Sequence, residues 1–280
     1  MELRNLENID LEKLVSVINL SFSDYLVPMQ LTLEKLESKI AAEDIKLKLS
    51  TGVFDGDQMV GCMLHALRST EEGLAVYNAC TGVIPAYRGR GLVSEMYGYL
   101  LPELRKIQVK KMVLEVLTGN HAAIKAYEKM GYTRDRKLDC YSGKIQVKKD
   151  KSAASLKEID GLNWRELMTF WDAIPSWQNA NQSLENSKAQ CRIVGAYQDD
   201  LLVGYAIFNP TSRKINQFAV AAEYRDKGIG SQLFSYINEA VEQQEVYVFN
   251  VDQSAVSVLG FLKSVGLSEV IAQFEMSRRV

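Results

Sequence analysis

The sequence predicts an α/β (α+β) fold written twice, as two successive units that each carry a mixed sheet with helices packed on it. Three observations predict it. A basic, glycine-bearing phrase occurs twice, "YRGRGL" at 87–92 and "YRDKGI" at 224–229, each time just before a run with helical spacing. The parts around both phrases keep one order, hairpin, strand, helix, strand, helix, which calls for a mixed sheet. With 280 residues the chain has room for two domains of about 140.

Each element follows from local pattern. "VFDGDQMVGCML" (53–64) and "AYQDDLLVGYAI" (196–207) both read as an apolar strand, an acidic turn and a second apolar strand carrying Gly61 or Gly204. A further apolar stretch follows, "NACTGVIPAY" or "INQFAVAAEY", and then the repeated phrase. Leu92, Met96, Leu100 and Leu104 recur at helical spacing, as do Ile229, Leu233, Ile237 and Val241, so each phrase opens an amphipathic helix. Next come "KMVLEVL" (111–117) and "VYVFNV" (246–251), both suited to buried strands. The helices after them, in "GNHAAIKAYEKMGY" and "SAVSVLGFLKSVGL", end at Gly131 and Gly266 as C-cap glycines. Between the halves, "GKIQVKKDKSAASLKEID" (143–160) is read as a boundary near 150 or, equally, a charged edge strand. Trp164, Trp171 and Trp177 cluster after it and are expected to fill a core or the interface between halves rather than stack on a ligand.

Composition narrows the function. The 33 basic and 35 acidic side chains nearly cancel, which gives no support for a nucleic-acid partner. No stretch approaches the roughly 18 apolar residues of a membrane span, and the first residues lack a signal-peptide core, so a cytoplasmic protein without a membrane partner is expected. Cys62, Cys80, Cys140 and Cys191 form no C-x-x-C pair and the two histidines are His65 and His121, so reduced thiols and no metal are expected. His121 reads as a loop residue.

The repeated phrase has a chemical reading. A helix start leaves backbone N–H groups without partners and adds partial positive charge, which suits phosphate. Gly89, Gly91, Gly228 and Gly230 let the backbone approach an anion, while Arg88, Arg90, Arg225 and Lys227 supply charge around it. A P-loop would need G-x-x-x-x-G-K-[ST], and a dinucleotide fingerprint a third glycine where Ser94 and Leu233 stand.

The pattern that fits is R-x-x-G-x-G/A between a strand and a helix. Here the sequence resembles the GNAT superfamily of acyl-coenzyme A dependent N-acetyltransferases, over most of both halves, in the manner of its double-domain members. "RDKGIG" matches in full through Arg225, Gly228 and Gly230; "RGRGLV" has Arg88 and Gly91 but Val93 in the last small position. The resemblance implies two tandem GNAT-like domains, 1–148 and 149–280, each a mixed, mostly antiparallel central sheet flanked by helices and splayed at the strand that ends, in the first, at Val83. It implies acetyl-coenzyme A as co-substrate, its pyrophosphate cradled by N–H groups from Gly89 through Arg90, Gly91, Leu92 and Val93 to Ser94, with Ser231 the counterpart of Ser94.

The resemblance also implies roles for "EVLTGNHAAIKAYEKMGY": Asn120 to bond the pantetheine arm and Tyr127 to face the sulfur as proton donor, against a plain reading of Tyr127 as a core residue. The second half has Phe261 or Leu262 at that point, so the first domain is expected to be catalytic and the second degenerate or accessory. Glu115 is a candidate base acting through water, or an ordinary solvated strand residue in equal measure. "FSDYLVP" (22–28) resembles a substrate-lining segment, making Asp24 and Tyr25 candidate contacts to an amine. The expected reaction is direct acetyl transfer to a primary amine of a small molecule or peptide, the alternative being a non-catalytic coenzyme A-binding or interaction module. Acceptor and oligomeric state are not encoded legibly.

Overall fold

A computed structural model describes residues 1–25, 30–147 and 154–280. The chain divides into two compact units, Met1–Asp135 together with Glu275–Val280, and Arg136–Phe274. The boundary expected near 150 falls within 148–153, outside the described residues.

The first unit runs β1 (Glu2–Asn5), α1 (Leu11–Ser21), α2 (Leu33–Glu43), β2 (Thr51–Asp55), β3 (Gln58–Thr70), β4 (Gly73–Val83), α3 (Leu92–Lys106), β5 (Lys111–Leu117) and α4 (His121–Lys129). Three of its helices begin on side-chain caps that take up orphan amide hydrogens: Asp10 for α1, Thr32 for α2 and Asn120 for α4. Apolar positions at helical spacing, among them Leu14, Ile18 and Leu36, are fully buried together with strand residues Val60, Met63 and Val76. Strands β1 to β4 pair antiparallel in sequence order, and β5 lies parallel to β4.

The second unit repeats this plan. Strand β6 (Thr133–Lys144) leads into it, followed by β7 (Ser155–Glu158), two short helices α5 (Trp164–Leu167) and α6 (Asn181–Asn186), then β8 (Arg192–Gln198), β9 (Leu201–Asn209), β10 (Lys214–Val220), α7 (Ile229–Ala240), β11 (Glu245–Asp252), α8 (Val256–Ser264) and β12 (Ser268–Arg279). The strand order is β6-β11-β10-β9-β8-β7, with β10 and β11 parallel and the other pairs antiparallel. The mixed, mostly antiparallel sheets with flanking helices are as expected. Part of the lysine-rich stretch is an edge strand, β7. None of the three tryptophans is fully buried: Trp164 packs against a core that includes Leu167, Leu184 and Ile207, while Trp171 lines a cavity.

Two irregularities position the site in each unit. Leu64 pairs with Cys80 and His65 with Asn78, so Ala79 is one extra residue in β4; Asn216 is the equivalent extra residue in β10. Such a bulge bends the strand and re-aims its side chains. The parallel rungs between β4 and β5 stop at Asn78 and Leu114, although β4 runs on to Val83 and β5 to Leu117. In the second unit they stop at Ile215 and Val248. Each sheet therefore opens beyond its bulge. Among the described residues, no helix is long and apolar enough to cross a membrane.

Candidate functional site

In the first unit the strand that opens the wedge delivers the chain directly to a helix start. After Val83 a short 3-10 turn, Pro85–Tyr87, leads into α3, whose N-cap is Gly91 at φ +79° with no side-chain cap. Gly89 is also left-handed, at φ +73°. A Cβ built on either glycine would meet no heavy atom within 4 Å, so open space lies over both. The first-turn amide hydrogens of Leu92, Val93 and Ser94 thus stand at a mouth that no side chain closes. The second unit has the same start: α7 is capped by Gly228 at φ +79°, again without a side chain. There a Cβ on Gly230 would lie 2.9 Å from the Phe261 ring.

The arginine of each phrase is engaged within the chain. Arg88 donates from Nε to the Val83 carbonyl (3.0 Å), from Nη2 to the Ser21 carbonyl (2.9 Å), and from both terminal nitrogens to the two Asp24 carboxylate oxygens (2.7 Å each). Arg225 copies this with the Val220 and Phe170 carbonyls and with Asp172 at 2.7 Å. The Arg88 guanidinium holds Asp24 below the usual carboxylate range. The structure therefore joins Asp24, expected at the amine, to Arg88, expected at the anion, and the pair ties α1 to the strand end below the mouth. Arg90 lies over the Tyr87 ring at 4.7 Å and donates to the Ala86 carbonyl; Lys227 lies over Tyr224 at 4.9 Å. These cations are exposed beside the loop.

The wedge itself gathers further groups. Tyr127 is 9% exposed on α4, its hydroxyl neighbouring Thr81 of β4, and burial pushes its phenol far above the ordinary range. It keeps its proton at neutral pH. Thr81 exchanges hydrogen bonds with Asn78, which also donates to the Tyr97 hydroxyl at 2.9 Å; Tyr132 donates to Tyr97 at 3.1 Å. Asn120 caps α4 through Oδ1 and donates from Nδ2 to the Tyr25 hydroxyl at 3.3 Å. Glu115, half-buried on β5, accepts from the Tyr77 hydroxyl at 3.1 Å. The rest of the "FSDYLVP" expectation, Leu26 to Pro28, lies outside the described residues.

Sequence reasoning missed a group beside these. Cys80, next to the bulge, lies close to the buried Cys62 thiol and to Lys39 of α2. The neighbouring Cys62 and then Lys39 hold the Cys80 thiol below its ordinary pKa, against burial, which pushes it up. Lys39 is itself paired with Glu43 at 2.6 Å. The signal was the strand register, which puts Cys62 and Cys80 on one face of a hairpin.

The second unit lacks this chemistry. Matching registers equate Thr81 with Phe218, and matching helix starts equate Tyr127 with Leu262 and Tyr132 with Leu267. Phe218, Phe234 and Phe261 pack edge to face or tilted at 4.9–5.8 Å. Its wedge is nonetheless a cavity of about 490 Å³, reaching from Gly228–Ser231 past Val220 and Phe218 to Tyr205 and Asn179.

Comparison with known proteins agrees with the duplication. Residues 16–132 match the sequence profile described as Acetyltransferase (GNAT) family, and residues 153–277 that described as Acetyltransferase (GNAT) domain. Mycothiol acetyltransferase of Corynebacterium glutamicum is 35% identical over 82 residues, 29% of this chain and 27% of that protein. N-alpha-acetyltransferase 30 of Schizosaccharomyces pombe is 29% identical over 90 residues, 31% of this chain and 59% of that one. The chain thus covers less than two thirds of either relative. Among solved structures, a GCN5-related N-acetyltransferase from Sphaerobacter thermophilus superposes with a TM-score of 0.73 at 13% identity, over 99% of this chain and 95% of the other. A tandem GNAT protein from the clavulanic acid biosynthesis pathway gives 0.72 at 16%, over 99% and 98%. At such identities the likeness is one of fold.

Proposed function

Because this chain belongs to the GNAT acetyltransferase family and carries two such domains in tandem, we propose that its first domain, residues 1–148, transfers an acetyl group from acetyl-coenzyme A to a primary amine of a small molecule or peptide. The single observation that carries this reading is the uncapped, glycine-lined mouth of α3 at the end of a strand whose Thr81 neighbours a protonated tyrosine. The residues present suit the donor. The amide hydrogens of Leu92, Val93 and Ser94 would hold a diphosphate, with Arg90 adding charge, while Arg88 and Asp24 brace the loop rather than touch the ligand. Asn120 would bond the pantetheine arm.

In the reaction the amine nitrogen bonds the thioester carbon and the carbon–sulfur bond breaks. Tyr127 gives its proton to the departing thiolate. The proton lost by the amine passes through water to Glu115, whose carboxylate is steadied by Tyr77. No covalent enzyme intermediate is needed. The second domain, 149–280, is the place for the alternative role, binding without turnover, because Leu262 and Phe218 leave no hydroxyl where Tyr127 and Thr81 stand in the first.

The test is a panel of amines with acetyl-coenzyme A and detection of released thiol. Tyr127→Phe should lower kcat by about 10²–10⁴ while leaving coenzyme A binding intact. Full activity in that variant, or binding with no product from any amine, would remove the catalytic role.

A further inference from the structure

The buried polar groups around Tyr127 form a set that the fold itself does not require. Asn78, Tyr97 and Tyr132 are at most 6% exposed, and Thr81 is half-buried beside them. Asn78 holds the set together. Its amide nitrogen donates to Thr81 Oγ1 at 2.7 Å and to the Tyr97 hydroxyl at 2.9 Å, while its Oδ1 accepts from the Thr81 hydroxyl at 2.9 Å. Tyr97 is bonded in turn to the Tyr132 hydroxyl at 3.1 Å. Tyr127 completes the set, its hydroxyl next to Thr81 and its ring edge-on to Tyr132 at 5.8 Å.

The second unit is a natural control. By strand register Asn78 and Thr81 correspond to Ile215 and Phe218, and by helix start Tyr97, Tyr127 and Tyr132 correspond to Phe234, Leu262 and Leu267. All five positions are hydrocarbon there, packed in one core. A hydrocarbon set makes no demand for partners, whereas each buried hydroxyl or amide must find one or cost stability. The same scaffold therefore closes without these groups, and their presence in the first unit calls for a chemical reason.

That reason lies in the state of Tyr127 after it has acted. Giving its proton to a thiolate leaves a phenolate in a buried place, which is costly unless a donor reaches it. Burial opposes that charge most, and the Tyr97 hydroxyl adds to the opposition; of the neighbours Tyr97, Thr81, Cys80 and Tyr25, Thr81 is the one that favours it. A hydroxyl can turn its proton without moving its oxygen. In the resting chain the Thr81 proton lies on Asn78 Oδ1, and the Asn78 amide nitrogen anchors the oxygen.

We propose that Thr81 is a positioning residue for acetyl transfer, its hydroxyl anchored by Asn78 and turning its proton from Asn78 Oδ1 to the Tyr127 oxygen as the phenolate forms. The Tyr127 O–H bond breaks and an S–H bond forms on the leaving thiol. Thr81 keeps its proton throughout and exchanges one hydrogen bond for another. This deepens the reading of the first unit as the transferase and rests on it.

The test compares the full chain with Thr81→Val, which keeps the shape but not the hydroxyl, with Thr81→Ser, with Tyr127→Phe, and with Thr81→Val combined with Tyr127→Phe. Without any donor present, NMR of the chain carrying tyrosine isotopically labelled at Cζ gives one resonance that Tyr127→Phe removes. That resonance should move in Thr81→Val and return in Thr81→Ser. In turnover of acetyl-coenzyme A with an accepted amine, Thr81→Val should lower kcat by about ten- to hundredfold, the worth of a hydrogen bond to an ion, with KM for acetyl-coenzyme A unchanged. Serine should recover most of the loss. On top of Tyr127→Phe, valine should cost almost nothing, because Thr81 acts only through that phenol. An unmoved resonance, a serine variant as slow as the valine one, or an equal cost of valine with and without Tyr127 would each overturn the role of Thr81 and leave the transferase reading standing. A wild type that binds acetyl-coenzyme A and yields no product from any amine would overturn both.

Discussion

Two titratable residues of the first unit make contrasting predictions. His65 is fully buried, edge-on to Tyr97 at 6.2 Å, and burial lowers its pKa to about 3. The unfolded chain takes up a proton there near pH 6.5, whereas the folded chain resists until about pH 3. Between those values the unfolded state binds more protons, so stability falls with falling pH, at about 1.4 kcal/mol per unit from this site alone. Urea midpoints measured from pH 7 to pH 4 should drop more steeply for the wild type than for His65→Leu, and parallel curves would acquit the histidine. Cys80 is the opposite case, a thiol made more reactive by Cys62 and Lys39. Iodoacetamide should label it ahead of the buried Cys140, and Lys39→Met should slow that labelling. Peptide mass mapping that found Cys80 no faster in the wild type than in the variant would contradict the assignment.

At the scale of elements, the start of α3 and its middle respond oppositely to the same substitution. Gly91→Ala forces a side chain into a left-handed N-cap, costing about 1–2 kcal/mol, although the added methyl touches nothing. Gly98→Ala, within the helix and also facing open space, should instead stabilise by about 0.5–1 kcal/mol. Chemical denaturation of the two variants reads both signs, and a stabilising Gly91→Ala would mean the cap is not left-handed.

These elements were legible because their signals are local: glycine at a helix mouth, leucines four apart, an acidic turn between apolar strands. The partner of Arg88 was not, because Asp24 lies 64 residues away and only folding brings α1 under the loop. A trace of it was present in the repeat. "FSD" at 22–24 and "FWD" at 170–172 put an aspartate two residues after a phenylalanine in both halves, and both aspartates hold the arginine of their phrase. The Cys62–Cys80 contact depends on a hairpin register shifted by one bulged residue, which composition does not reveal. Nor does the order of repeats foretell that residues 275–280 belong with the first unit.

For the whole molecule, duplication allowed the two copies to diverge in chemistry while keeping one scaffold. The brace conserved between them is the arginine–aspartate pair with its two carbonyls, a structural device that serves loop shape whatever the loop holds. What differs is the wedge: hydroxyls and a thiol in the first unit, phenylalanines and neutral amides in the second. If turnover resides in the first, blocking the two helix mouths has unequal effects. Gly91→Ala should lower kcat/KM for acetyl-coenzyme A by about tenfold or more, since the methyl occupies the space an anion needs. Gly228→Ala, the same change at the same backbone angle, should lower it by less, its consequence falling on whatever the second unit binds. Steady-state kinetics of both variants, each first shown to be folded by circular dichroism, decide the matter. An equal loss in the two, or a larger one from Gly228→Ala, would transfer the chemistry to the second unit and leave Tyr127 a core residue.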